Sequence, residues 1–354
     1  MTAPGRLRTL LFALVTAAAA HATDMLAARQ AEPPAQPPKV RLLATGGTIS
    51  NRAGGRLTAD DLARSIPKLE RYARADAEQF SNVSSSELTL KQWVDLARRI
   101  NELFRDDAEL AGVVVTSGTD TLEETAYFLN LVVKSDRPVV VVGSMRNPDA
   151  VGYEGAANLL EGFRVAADPA SRNRGVLVVL NDEINAAREV TKTDALRPHT
   201  FQTRGYGLLG VVDSDRVVYY RNVVKRHTKD SEFDVASIQE LPRVDVVMVY
   251  QDATGDVIKA LVDQGAKGIV MATAGAGALS GTQGEGVRYA IDRGVFVVTT
   301  TRAGSGRIAG GSRRSPTFRI QGEDLQPVKA RILLMLALAH TKDGAEIQRM
   351  FTEY

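Results

Sequence analysis

The chain of 354 residues is 44% hydrophobic and 24% charged, enough to bury a substantial core and to build two domains. A formal net charge of +2, with no long basic stripe interleaved with aromatics, argues against a nucleic-acid partner. The absence of cysteine excludes disulfides, thiolate chemistry and cysteine metal sites.

In chain order, Arg6 and Arg8 precede an apolar run from Leu10 to Ala20, followed by Ala20-His21-Ala22. This is the pattern of a secretory signal over residues 1–22, too short for a confident membrane span. It predicts a periplasmic or secreted product that leaves the membrane after cleavage. Residues 23–38 contain Glu32-Pro33-Pro34-Ala35-Gln36-Pro37-Pro38, an extended, proline-restricted linker. The folded chain is therefore expected to begin near Val40.

A strand from Val40 to Ala44 runs into Thr45-Gly46-Gly47-Thr48-Ile49-Ser50. Two glycines permit a tight turn and close approach to the backbone, while the Walker spacing and its lysine are lacking. Residues 51–57 read as a mobile segment with Gly54-Gly55 as a hinge. Thr58 caps a helix reaching Ile66, with Asp60 and Asp61 well placed in its first turn. A strand near Gln79 to Val83 leads into Ser84-Ser85-Ser86, and Leu90, Val94, Ala97 and Ile100 mark an amphipathic helix that Trp93 helps to pack. Val113 to Val115 then forms a strand, the polar turn Ser117 to Thr121 follows, and Leu122, Ala126, Leu129 and Val133 recur at helical spacing. Further strands at Pro138 to Val142 and Val176 to Leu180 flank a helix from Ala156 to Ala167.

Around Val211 to Tyr220 the pattern turns hairpin-like, with Asp213 to Asp215 as the turn. Residues 222–242 are polar without a sustained apolar period and read as an interdomain connection. A second unit follows: strands Val244 to Tyr250, Gly268 to Ala272 and Val295 to Thr300, alternating with helices Asp256 to Gln264 and Glu285 to Asp292. The helix Pro327 to His340 closes the list of elements. Arg302, Arg307, Arg313, Arg314 and Arg319 are read as a solvated cationic loop. Alternating strands and helices predict an α/β fold: a doubly wound, largely parallel sheet in the N-terminal domain and a smaller C-terminal α/β domain. The expected boundaries are 39–221 and 243–354, joined by 222–242.

Right-handed crossovers bring the carboxyl ends of successive strands to one edge of such a sheet. Polar residues collected there are Thr48, Ser85, Thr119 and Asp120, with Lys192 supplied by a later loop that must fold back over them. A hydroxyl is a weak nucleophile until a base lies within reach. A lysine serves as that base only if burial or nearby positive charge lowers its proton affinity from about 10.4. Helix capping by Ser117 and the threonines is the alternative reading of the central turn.

These residues resemble the bacterial type II L-asparaginases, amidohydrolases of the asparaginase/glutaminase fold. The resemblance is carried by Thr45-Gly46-Gly47-Thr48-Ile49, Ser117 to Leu129, Arg137-Pro138-Val139-Val140, Gly143-Ser144-Met145-Arg146, Asn173 to Val179, Val190-Thr191-Lys192-Thr193 and Lys329 to Leu334. It implies hydrolysis of a side-chain amide, L-asparagine foremost, to a carboxylate and ammonia. Thr48 is the implied nucleophile that forms an acyl-enzyme; Thr119, Asp120 and Lys192 form the implied second triad, and Ser85 matches a binder of the substrate α-carboxylate. The resemblance implies no metal or organic cofactor, a small amino-acid amide as partner, and a homotetramer built as a dimer of dimers.

Three departures separate this chain from the family pattern. Residues Ser50 to Leu57 are shorter than the family's mobile loop and carry no tyrosine; Tyr153 and Tyr206 are the candidates to replace it. Gly275-Ala276-Gly277-Ala278 stands where a Gly-Asn-Gly-Asn turn is usual, and Gly304 to Ser312 has no clear counterpart to the expected glutamate. Two lost contacts to a charged ammonium, each worth about 1.5–3 kcal/mol, bear on substrate choice. Glutaminase or altered-amide activity, and a non-catalytic amino-acid binding protein, are therefore the alternatives. A tRNA-dependent amidotransferase subunit is disfavoured by the export signal and near-neutral charge.

Overall fold

A computed structural model describes residues 36–309 and 318–354. The signal pattern over 1–22, residues 23–35 of the linker, Arg313, Arg314 and part of Gly304 to Ser312 lie outside the described residues.

Strand β1 (Lys39–Gly46) carries the first apolar run, and its glycine-rich end feeds a short 3-10 turn, Thr48–Ser50. Strands β2 (Asn51–Arg52) and β3 (Gly55–Arg56) then pair antiparallel. The segment read as mobile, 51–57, thus contains a short ribbon, and Gly54, at φ 81°, lets the chain reverse within two residues. Helix α1 (Ala59–Arg64) starts at a capping box in which the Thr58 and Asp61 side chains each accept the other's backbone N–H. It ends at Arg64 with Ser65 as its cap, before the expected Ile66.

Strand β4 (Arg74–Val83) is longer than expected, and helix α2 (Leu90–Asp106) buries Trp93, Val94, Ala97 and Ile100 on one face. The Trp93 ring stacks on Phe128 at 5.5 Å. Strand β5 (Leu110–Thr116), helix α3 (Leu122–Val132), strand β6 (Val139–Val142), helix α4 (Gly155–Ala167) and strand β7 (Val176–Leu180) follow. The valine-rich strands lie under helices on both faces, which is why they read as continuous apolar runs.

Beyond β7 the chain reverses through Asn181 and Asp182, both at positive φ, into β8 (Glu183–Ala186), an element not anticipated from the sequence. A separate two-stranded ribbon joins β9 (Thr191–Lys192) to β10 (Phe201–Gln202). Strands β11 (Gly210–Val212) and β12 (Val217–Tyr219) form the expected hairpin. The large sheet has the order β12-β11-β8-β7-β6-β5-β1-β4, parallel from β7 to β4 and antiparallel at the other edge. One apolar core joins its first face to α1 and α4.

The second sheet is wholly parallel, in the order β13 (Val244–Met248), β14 (Gly268–Thr273), β15 (Phe296–Thr301) and β16 (Arg319–Gln321). Helices α5 (Asp256–Asp263) and α6 (Gln283–Asp292) cover one face. Helix α7 (Pro327–His340) covers the other face and packs against α3. A last helix, α8 (Gly344–Glu353), was not foreseen. Residues 222–242, read from the sequence as a polar interdomain connection, hold little regular structure and bury Phe233, Val235, Ile238 and Leu241 in the core shared by α2, α3 and α7. Among the described residues no helix is long and apolar enough to cross a membrane.

Candidate active site

Strands β4, β1 and β5 are parallel neighbours, so their carboxyl ends lie side by side. Three hydroxyl-bearing turns leave those ends. Thr45 and Thr116 bind the first to the third: Thr45 Oγ1 donates to the Thr116 carbonyl (2.6 Å), and the Thr45 N–H donates to Thr116 Oγ1 (3.2 Å). The Gly47 N–H donates to the Val83 carbonyl at 3.0 Å, fastening the first turn to the end of β4.

Gly47 has φ 87°, and a Cβ there would lie 2.3 Å from both Cα and N of Gly118. The Thr48 and Thr119 turns are thus in backbone contact, at a spacing only glycine allows. A Cβ on Gly118 would lie 2.9 Å from Ser85 Oγ, and that oxygen accepts the Thr121 N–H at 3.3 Å. Ser85, Thr48 and Thr119 therefore rim one small region at the amino end of α3, where exposed backbone N–H groups favour an anionic ligand.

Lys192 reaches this region from the β9–β10 ribbon. Its Nζ donates to Thr119 Oγ1 at 3.1 Å and to Asp120 Oδ1 at 2.7 Å. Thr119 is buried, the Lys192 side chain is 15% exposed and that of Asp120 is 74% exposed. The amine and hydroxyl are shielded while the carboxylate faces out, leaving Asp120 free to meet a cationic group as well. Thr48 is half-buried and opens its 3-10 turn beside Thr119.

Of the two tyrosines considered for the missing loop residue, Tyr153 touches the first turn: its hydroxyl donates to the Ile49 carbonyl at 2.9 Å. Burial, with the Glu154 charge nearby, pushes its phenol up to about 12, so it stays a neutral donor. Tyr206 instead donates to Asp324, which Arg188 grips with two 2.7 Å bonds. The Gly275 to Ala278 turn closes on Thr273, whose Oγ1 accepts the Gly277 N–H and has the Thr300 and Gly275 carbonyls within donating distance, at 2.6 and 2.9 Å.

Sequence reasoning overlooked Glu123 and Lys329, which hold the backbone beside Lys192. A signal for Lys329 existed: it shares a helix face with Ile332, Leu333 and Leu336, a place for an apolar residue. Asn158 was missed too; it bridges two strand ends, donating to the Gly143 carbonyl and accepting the Asn181 N–H.

Comparison with known proteins gives the same picture at the level of the whole chain. The family pattern "Asparaginase, N-terminal" matches residues 39–225, and "Glutaminase/Asparaginase C-terminal domain" matches residues 243–351. L-asparaginase 2 of Bacillus subtilis is 42% identical over 90% of this chain and 87% of its own. Glutaminase-asparaginase of Pseudomonas fluorescens biotype A is 36% identical over 99% of this chain and 98% of its own. A crystal structure titled as a probable cytoplasmic L-asparaginase from Campylobacter jejuni superposes with a TM-score of 0.83 at 39% identity, over 90% of this chain and all of that one. Matched by both family patterns and 42% identical to a relative over 90% of its length, the chain belongs to the asparaginase family.

Proposed function

We propose that this protein hydrolyses the side-chain amide of L-asparagine to L-aspartate and ammonia through a threonine nucleophile. Thr48 Oγ1 bonds to the amide carbon and the C–N bond breaks. Ammonia leaves with the proton that the hydroxyl gives up, and water then cleaves the acyl-enzyme to restore Thr48. Thr119 and Lys192 relay protons, Asp120 orients the lysine and meets the substrate ammonium, and Ser85 binds its α-carboxylate. One observation carries this reading: a shielded lysine amine lies in hydrogen-bond reach of a buried hydroxyl and an exposed carboxylate, beside a second hydroxyl-bearing turn.

The names of the relatives, L-asparaginase and glutaminase-asparaginase, support an amide substrate, and the second bears on the variant in which glutamine is also cleaved. The extents of the two family matches support domains at 39–221 and 243–354. The signal pattern in the sequence supports export. The homotetramer draws support from β13, an edge strand whose Val246 and Met248 expose one apolar face. The deciding experiment is ammonia release from a panel of L-asparagine, L-glutamine and D-asparagine, run beside Thr48→Ala, Thr119→Ala and Lys192→Met. Turnover should fall roughly 10²–10⁴-fold for loss of the base. Equal activity in wild type and all three variants would remove the assignment.

A further inference from the structure

We infer that Glu123 and Lys329 form a buried positioning pair that sets Lys192 against Thr119; the inference rests on the amidohydrolase reading above. The ribbon that bears Lys192 has only two residues in each strand, too little pairing to hold itself in place. Its anchorage comes from α3 and α7.

Glu123 lies in the first turn of α3, four residues beyond Thr119. Its Oε1 accepts the Thr191 hydroxyl at 3.0 Å and the Lys192 N–H at 3.1 Å, and its Oε2 faces Lys329 Nζ at 3.7 Å. Lys329 rises from α7 with a fully buried side chain, and its Nζ donates to the carbonyls of Val190 and Arg188, the latter at 3.1 Å. Two ammonium protons thus go to carbonyls, and the amine faces the Glu123 carboxylate at ion-pair distance. Between Arg188 and Lys192 the backbone is held at two carbonyls and one amide, and the Thr191 side chain at its hydroxyl.

An ammonium removed from water is costly unless paired and hydrogen-bonded, whereas an apolar side chain would suit this position of α7 without that cost. What Lys329 adds is location. Burial pushes its ammonium down to about 8, and the charge of Glu123 opposes that shift. Lys192 has a flexible four-carbon stem, and where its amine arrives depends on where its Cα is held. A misplacement near 1 Å costs a reacting group roughly 10²-fold.

The test measures kcat and KM for L-asparagine with the full chain, comparing wild type with Thr191→Val, Glu123→Gln, Glu123→Leu and Lys329→Met, each checked for folding by circular dichroism. Glu123→Leu and Lys329→Met should lower kcat about 100-fold with KM within about threefold, because neither Ser85 nor Asp120 lies on the ribbon that the pair anchors. Glu123→Gln, whose amide oxygen still accepts both N–H and O–H, should recover about tenfold or more over Glu123→Leu. Thr191→Val deletes one hydroxyl and leaves the fold intact; it should lower kcat about threefold or more with KM unchanged. Wild-type turnover in folded Thr191→Val, or a glutamine variant no better than leucine, overturns the positioning role while leaving the reaction standing. A wild type that releases no ammonia overturns the amidohydrolase reading, and the pair's role with it.

Discussion

Replacing Gly47 with alanine tests whether contact between the two threonine turns matters for turnover. The added Cβ would sit 2.3 Å from Gly118 Cα and N, whereas carbon atoms rest at roughly 3.5–4.0 Å. The turns must therefore part by about 1 Å or more. Backbone atoms on both sides deny the cheap escape of rotating a side chain. At φ 87° and ψ −175°, Gly47 sits in a region essentially reserved for glycine, which adds roughly 1–3 kcal/mol of strain for an L-residue. A displacement of about 1 Å between reacting groups costs roughly 10²-fold, or about 2.7 kcal/mol of transition-state stabilisation. Gly54→Ala supplies the control, since its φ is 81° and nothing lies within 4 Å of its would-be Cβ. Its positive φ strains alanine too, so it should lose some thermal stability and keep its activity. Steady-state ammonia release, with melting followed by circular dichroism, separates the two effects. If Gly47→Ala keeps kcat/KM within about threefold of Gly54→Ala, the turns do not need their present spacing and the reasoning fails.

The carboxyl of Glu161 is lifted from 4.5 to about 8 by burial and by the adjoining Asp182. Between those values the folded state keeps a proton that the unfolded chain has released, so this site's contribution to stability falls as pH rises from 4.5 to 8. Glu161→Gln should thus melt higher than wild type at pH 8, with the gap closing toward the acid end; a gap of constant size in calorimetry would sink the idea. Arg188→Met strands Asp324 in a largely buried ion pair and should cost roughly 3–5 kcal/mol in urea unfolding, most of it recovered by adding Asp324→Leu. Burial alone would raise the Asp324 carboxyl, but Arg188 holds it well below the usual carboxylate range. That stability is therefore present above the unfolded value of 3.8 and is lost as pH falls; acid unfolding of Asp324→Leu/Arg188→Met should lose this component. Met248→Asp places a charge on the exposed face of β13 and should lower the mass found by light scattering if that face joins copies of the chain; an unchanged mass would exclude it.

The parts of the fold legible in sequence are those in which burial dominates. Val113 to Val115, Val139 to Val142 and Val176 to Leu180 can only be central strands, because a run of β-branched residues suits a sheet covered on both faces. Strand β8 escapes because its signal lies in backbone torsion: Asn181 and Asp182 at φ 58° and 64° make a hairpin turn, yet in one dimension look like an ordinary strand end. Helix α8 was readable and went unread, with Asp343 accepting the Ala345 N–H at its start and Ile347, Met350 and Phe351 on one face. Residues 222–242 mislead because extended chain laid over helices buries residues without a period. In the site, turn chemistry reveals Thr48, Ser85, Thr119 and Asp120. The approach of Lys192, and the Glu123–Lys329 pair behind it, depend on chain separations of 73 and about 200 residues that no local pattern encodes.

Helix α7 is a party wall. It packs against α3 on one side and roofs the second sheet on the other, while Phe233 and its neighbours seal the same seam. Severing the chain near residue 225 would leave each fragment with a bare greasy surface, so neither half should survive alone in dilute solution. Anyone wishing to graft a new carboxyl half onto this scaffold would have to bring a matching seventh helix with it.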